Sequence, residues 1–159
     1  MIELEFERFY NQDYKDEGYD LYVMKNGLGD VLYVGISTQS IWERWFGFGG
    51  HIIWIENGKL FGTSSVGQKI EDHLPDSLNW KIQLWTLEDC IKFCENELPP
   101  NIQHWTIKWV ESFMIQKLSP ILNVSYNLHP GKDTTPKSKK EIEREKLVEK
   151  LYREIFEKK

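Results

Sequence analysis

Two short segments near the start of the chain, residues 21–24 and 32–35, are rich in the aromatic and β-branched residues typical of β-strands. Each carries a tyrosine, Tyr22 in the first and Tyr33 in the second, and residues 26–30 between them read Asn-Gly-Leu-Gly-Asp. Gly, Asn and Asp are the residues that tight turns favour. The pair therefore predicts an antiparallel hairpin; if both tyrosines lie on the same face of the sheet, their hydroxyls converge on one spot.

The rest of the chain indicates an edge strand at the N-terminus (Ile2, Leu4, Phe6), a third strand of the sheet and several helices. Residues 80–85 alternate apolar and mixed residues and predict a third, half-buried strand. A short helix is expected at about 40–47, and longer apolar stripes predict helices from residue 86 and over about 103–118. Residues 51–79 look like an insertion with its own hairpin. The predicted fold is α/β (α+β), a small three-stranded antiparallel sheet flanked by helices.

The length and charge of the chain divide it into two parts. With 159 residues it is most simply one domain, which we place at 1–130 and which has 10 Lys/Arg against 18 Asp/Glu, a net charge of −8. Residues 131–159 have a net charge of +3 and form a linker and an amphipathic helix that starts with a capping box, Ser138 and Glu141. We interpret this helix as a docking element that binds either a partner protein or a second copy of the chain, which would give a homodimer.

Composition excludes some other classes of protein. No run of 18 apolar residues exists and the N-terminus is acidic, so we expect no membrane span and no signal peptide. Cys90 and Cys94 are four residues apart in a helical pattern, which suits core positions better than a disulfide. A cytoplasmic location is expected. The other histidines lack zinc-ligand spacing: His73, His104 and His129.

Glu111 is a carboxylate within an apolar helical stripe. Ile107, Met114 and Leu118 occupy the same face at spacings of four, three and four. A buried Glu needs a partner because desolvating its charge is costly. A metal ion or an arginine would provide one; the alternative is a boundary residue that reaches water or pairs with Lys108 or Lys117.

These residues resemble the motifs of the GIY-YIG nuclease superfamily. The first motif corresponds to residues 20–22 (Asp-Leu-Tyr) and the second to residues 33–35 (Tyr-Val-Gly). The family's helical arginine matches Arg44, its metal-binding glutamate matches Glu111, and its asparagine after a Pro-Ile-Leu step matches Asn123. The resemblance rests on the order and spacing of all these motifs together rather than on any single motif.

The resemblance, which covers residues 20–123, implies a metal-dependent endonuclease that hydrolyses DNA phosphodiester bonds. It implies one Mg²⁺ or Mn²⁺ held by Glu111, with Tyr22 positioning or deprotonating the attacking water. Tyr33 would orient the water or the phosphate, and Arg44 would neutralise developing charge. The expected substrate-binding or supporting positions are Gly35, His51 and Asn123.

The chain also departs from the family's pattern. Asp20 replaces a glycine, Ile36 replaces a lysine that often follows the second motif, and Phe48 lies where the family often has His or Tyr, with His51 the nearest histidine. The acidic body also lacks the broad attraction for phosphates that DNA-binding surfaces use. The alternative hypothesis is therefore a catalytically inactive GIY-YIG-like module that binds nucleic acid or a partner protein.

Overall fold

The computed structural model describes residues 1–55, 57, 59–101 and 104–157. It contains six strands and six α-helices within those residues, together with a 3₁₀ turn over Asp76–Asn79. In chain order they are β1 (Ile2–Glu5), α1 (Phe6–Tyr10), β2 (Leu21–Lys25), β3 (Val31–Ile36), α2 (Ile41–Phe46), β4 (Ile52–Ile55), β5 (Lys59–Gly62), α3 (Ser65–Asp72), β6 (Lys81–Trp85), α4 (Leu87–Phe93), α5 (Ile107–Leu118) and α6 (Lys139–Phe156).

The main sheet has four antiparallel strands in the order β1-β6-β2-β3. The three predicted strands, β2, β3 and β6, are confirmed, but the predicted count is one strand too low. The N-terminal strand β1 pairs with β6 through Ile2 opposite Leu84 and Leu4 opposite Ile82. It satisfies backbone groups of β6 that would otherwise form an open edge.

The predicted hairpin is present in the main sheet, where its strands β2 and β3 are neighbours. β2 and β3 pair with Tyr22 opposite Gly35 and Met24 opposite Tyr33, which places both tyrosines on one face. In the turn, the Asn26 side-chain oxygen accepts hydrogen bonds from the backbone of Leu28 at 3.0 Å and Asp30 at 2.9 Å. This is the local Asx bonding that the turn residues predicted.

The residues of the predicted insertion pack on the tyrosine face of the sheet. Strands β4 and β5 form a second, two-stranded sheet, as expected from the second hairpin signal, and α3 follows it. Ile52, Leu60 and Ile70 belong to the same apolar cluster as Tyr22 and Met24. The segment therefore contributes to the core beside the tyrosines.

The opposite face of the sheet is covered by α4 and α5. Leu21 and Val23 of β2 pack there against residues of the two helices, including Cys90, Cys94 and Met114. Both cysteines are buried and free, as expected. The capping box of α4 is formed by Thr86 and Asp89. α5 begins at Ile107; part of the longer predicted start lies outside the described residues.

The last helix, α6, is tethered to the body at its N-terminal half. Arg144 makes a two-pronged ion pair with the buried carboxylate of Asp72, and Lys69 lies between Asp133 at 2.7 Å and Glu141 at 3.0 Å. Half of the predicted capping box forms: Ser138 accepts from the Glu141 backbone, while the Glu141 side chain binds Lys69 and His73.

The remainder of α6 leaves its apolar stripe in solvent. Within this helix, which is described in full, no side chain is buried. Its apolar side chains are between 41 and 67% exposed: Ile142, Leu147, Val148, Leu151, Tyr152, Ile155 and Phe156. None of the described helices is long and apolar enough to cross a membrane.

Candidate active site

The two motif tyrosines lie side by side on the hairpin. Their ring centroids are 6.1 Å apart with the planes inclined by 30°. Tyr22 lies directly over Gly35, where a Cβ atom would come within 2.3 Å of the Tyr22 hydroxyl oxygen. Glycine at position 35 is therefore a steric requirement of the tyrosine arrangement.

His51 joins the tyrosines through the Tyr22 hydroxyl. The Tyr22 hydroxyl oxygen and the His51 Nε2 atom are 2.6 Å apart, in a buried hydrogen bond between residues 29 positions apart in the chain. The loop after α2 brings the histidine to this place. His51, one of the predicted supporting residues, therefore contacts one of the two motif tyrosines directly.

Ser64 extends this contact on the other side of the imidazole. Its hydroxyl lies 2.6 Å from the His51 Nδ1 atom and also accepts a hydrogen bond from the Gly67 backbone at 3.1 Å, as the N-cap of α3. Sequence reasoning missed Ser64 as a site residue. Its position at a helix start was visible, but its proximity to His51 depends on how β4 and β5 fold back.

Burial controls the protonation of His51. The ring is 2% exposed and lies against Trp45, with centroids 4.7 Å apart, and against Tyr33 at 5.6 Å. Desolvation, assisted by the positive charge of Arg44, lowers the pKa of His51 to about 4. The imidazole is therefore neutral near pH 7 and keeps one nitrogen lone pair for accepting a hydrogen bond.

Glu111 reaches the site from the other face of the sheet. Its helix, α5, packs beside the edge strand β3, and the carboxylate lines a cavity of about 330 Å³ together with Tyr33. The other lining residues are Val34, Ile115, Leu122, Asn123, Val124 and Ser125. Burial raises the pKa of Glu111, and Lys108 lowers it by a smaller amount. The carboxylate thus lies where an added cation would relieve its desolvation.

Arg44 supplies the positive charge of the site. Burial is the main cause that raises the pKa of both phenols; Arg44 acts against it and Glu111 adds to it. Burial prevails, so Tyr22 is neutral. Tyr22 is also 0% exposed, whereas Tyr33 lines the cavity, so Tyr33 is the phenol that a ligand in the cavity would meet.

The two site charges are unpaired among the described residues. Neither Arg44 nor Glu111 makes an ion pair or a side-chain hydrogen bond in that part of the chain. The alternative partner predicted for Glu111, Lys117, instead binds Glu97 at 3.2 Å and the backbone carbonyl of Phe93 at 2.6 Å. A carboxylate and a guanidinium without partners beside a cavity are free to bind a ligand.

Asn123 fastens the segment after α5 to the tyrosine hairpin. Its side-chain oxygen accepts from the Val34 N–H at 2.9 Å, and its nitrogen donates to the Val34 carbonyl at 2.8 Å. These bonds satisfy the outward backbone groups of the edge strand β3. Asn123 therefore holds one wall of the cavity against Tyr33, which agrees with its predicted supporting role.

One departure from the family's pattern has a structural explanation. The Asp20 carboxylate accepts a hydrogen bond from the Leu87 backbone at 2.9 Å, in the first turn of α4, where a negative charge is favourable. Asp20 does not line the cavity. Its presence is therefore compatible with a working site.

The donor set permits a cation held by a single protein carboxylate. Among the described residues, no group of three or more His, Cys, Asp and Glu side chains is arranged to hold a metal. Mg²⁺ commonly binds through one or two carboxylates, with water and substrate phosphates as its other ligands. Glu111, half-buried and unpaired, fits that pattern.

Comparison of the chain with protein-family models, with curated proteins and with solved structures finds no match. The chemistry of the site has to be inferred from its own side chains.

Proposed function

We propose that this protein is a divalent-metal-dependent endonuclease of the GIY-YIG type that hydrolyses DNA phosphodiester bonds. One observation carries the proposal: Glu111 and Tyr33 line the same cavity, with the unpaired charge of Arg44 acting on Tyr33 and on Tyr22 behind it. A carboxylate and a phenol at one cavity, with a guanidinium near enough for its charge to act on the phenol, are groups suited to binding a metal and a phosphate.

In the proposed reaction, Glu111 would hold Mg²⁺ or Mn²⁺, and the ion when bound would supply positive charge at the phosphate. Arg44 binds the phosphate and offsets charge that develops in the transition state. Tyr33, the phenol at the cavity, orients the attacking water.

Tyr22 and His51 support Tyr33 from behind. A neutral imidazole at 2.6 Å from the Tyr22 hydroxyl can accept a hydrogen bond from it, and the Ser64 hydroxyl fixes the ring from the other side. We assign Tyr22 the role of a positioning residue that packs against Tyr33 and is held by His51, rather than that of the group that contacts water. This assignment follows from the burial of Tyr22.

The test is Glu111→Gln, which keeps the shape of the side chain and removes its charge. Wild type and variant are incubated with nicked, branched and duplex DNA in Mg²⁺ or Mn²⁺. Loss of preorganised charge stabilisation is worth about 10²-fold or more in rate, so the variant should be nearly inactive. Glu97→Gln, at an exposed carboxylate after α4 that pairs with Lys117 and does not line the cavity, is the matched control. Equal cleavage by wild type and Glu111→Gln contradicts the proposal.

A second candidate is a non-catalytic module that binds a partner protein through α6. The exposed apolar stripe of this helix favours it, because monomeric proteins rarely expose contiguous apolar patches of this kind. The two candidates differ in their response to metal. A module has no need of Glu111 and should be indifferent to Mn²⁺, whereas the endonuclease should bind it.

A further inference from the structure

Two loops beside the candidate site display large apolar side chains to solvent. The first, between α2 and β4, carries Phe48, whose side chain is fully exposed. The second, after Asn123, carries Val124, Tyr126 and Leu128, which are 91, 59 and 74% exposed. Neither set contributes to the core, so stability does not explain why these residues are apolar.

The Phe48 loop is built into the site by the residues at its two ends. Arg44 lies four residues before Phe48 and His51 three residues after it. The loop is closed by backbone hydrogen bonds from Gly47 to Glu43 at 2.7 Å and from Gly50 to Gly47 at 2.9 Å. Phe48 therefore lies in the short, hydrogen-bonded loop that joins the proposed phosphate-binding arginine to the histidine.

The second loop forms part of the cavity wall and is held in a strained conformation. Val124 lines the cavity beside Glu111. Tyr126 has a φ of +61°, a left-handed conformation that bulky residues rarely adopt. The Asn127 side chain maintains it by donating to the carbonyls of Pro120 at 2.6 Å and Asn123 at 2.8 Å. Strain of this kind persists where surrounding bonds enforce it, and it concentrates at binding sites.

We propose that Phe48 and Tyr126 are stacking platforms for unpaired bases next to the scissile phosphate, so that the substrate is single-stranded or locally unpaired DNA. Exposed aromatic faces bind bases by stacking, and they can do so only where the bases are outside a duplex stack. This inference rests on the proposed function, since it identifies the substrate class of that site.

The charge of the body supports the same substrate. Proteins that grip duplex DNA rely on many cationic contacts with phosphates, and residues 1–130 have a net charge of −8. An acidic body needs another source of affinity. Base stacking provides one that does not depend on net charge and that tolerates any sequence.

The test measures binding without cleavage. Glu111→Gln is titrated in fluorescence anisotropy with a labelled oligothymidylate and with a fully paired duplex of the same length. Phe48→Ala and Tyr126→Asn are then introduced one at a time into the Glu111→Gln protein. Asparagine tolerates the left-handed backbone conformation, so the second substitution preserves the loop. Phe61→Ala on β5, at a phenylalanine 50% exposed, is the matched control.

Each site variant should weaken binding of the single strand by about 5-fold to 150-fold, the equivalent of one lost stacking contact, and should leave duplex binding and the melting temperature nearly unchanged. The control should bind as its parent does. Unchanged binding in both site variants, or an equal loss for duplex, overturns the inference.

The result separates this inference from the nuclease proposal. If the wild-type protein binds single strands through stacking but cleaves no DNA, the endonuclease proposal is wrong and the single-strand binding site stands. If it cleaves paired duplex efficiently and the Phe48 and Tyr126 variants do so equally well, the endonuclease proposal stands and the stacking inference is wrong.

Discussion

The Tyr22 hydroxyl and the His51 Nε2 atom lie 2.6 Å apart in the interior, although 29 positions separate the residues in the chain. The bond connects the tyrosine hairpin to the segment that forms β4 and β5. It also gives the buried imidazole a partner, which a desolvated polar ring requires. Tyr22, His51 and Ser64 thus form one hydrogen-bonded chain behind the cavity that contains Tyr33 and Glu111.

Metal binding should depend on Glu111. Mn²⁺ binds the folded protein and should therefore raise its melting temperature in a concentration-dependent manner; at one hundred times the Kd the gain is about 2.7 kcal/mol. The same titration of Glu111→Ala should be flat, while Glu97→Ala should respond as wild type does. A Mn²⁺ response that survives in Glu111→Ala contradicts the assigned ligand.

The stability of the protein should fall in acid because of His51. Its folded pKa, about 4, is below the ordinary value of 6.5, so between these values the unfolded chain binds the extra proton. The contribution is complete above about pH 6.5 and is lost as the pH falls towards 4, by on the order of 3 kcal/mol. Denaturant unfolding at several pH values should show a shallower acid loss in His51→Gln than in wild type or in the exposed control His129→Gln.

Gly35→Ala should disrupt the site through Tyr22. The new Cβ would lie 2.3 Å from the Tyr22 hydroxyl oxygen and 2.4 Å from Cζ, so the ring must move. Overpacking of this kind costs about 1–3 kcal/mol in the free energy of unfolding. Combined with the shorter side chain of Tyr22→Leu, the same glycine substitution should cost much less. Additive effects in this double-mutant cycle, measured by urea unfolding, would show that the clash is elsewhere.

Asn123→Asp should loosen the cavity wall. The carboxylate cannot donate to the Val34 carbonyl, and it would face that acceptor at the 2.8 Å distance of the present bond. Loss of a satisfied, partly buried hydrogen bond costs about 1–3 kcal/mol. Unfolding should show this loss, and amide exchange at Val34 should accelerate. The exposed control Asn11→Asp should show neither change.

The exposed stripe of α6 predicts self-association through this helix. Two copies can bury the apolar side chains that one copy leaves in water, and a two-fold arrangement uses the same patch twice. Sedimentation should give a dimer for wild type and for Lys150→Glu, and a monomer for Leu151→Lys. A wild type that sediments as a monomer at high concentration shows that the stripe does not pair copies of the chain.

The local patterns were sufficient for most of the elements. The hairpin followed from alternating strand residues around an Asn/Gly turn, and the starts of α2, α4 and α6 followed from Ser40, Thr86 and Ser138, each of which accepts a backbone N–H three residues on. The weak points were the ends of elements and the number of strands in the sheet. Ile2 and Leu4 indicated an edge strand, but its pairing with the free edge of β6, nearly 80 residues away, is not reported by any local pattern.

The sequence by itself determined which side chains are candidates for the chemistry and which strands hold the tyrosines, because residue type and short-range periodicity act over a few positions. Only the tertiary structure decided that Glu111 lines the same cavity as Tyr33, that Tyr22 is buried, and that Tyr22, His51 and Ser64 form a hydrogen-bonded chain. Those placements depend on how layers pack across the whole domain, and the burial that shifts the pKa values of Glu111, Tyr22, Tyr33 and His51 exists only after that packing.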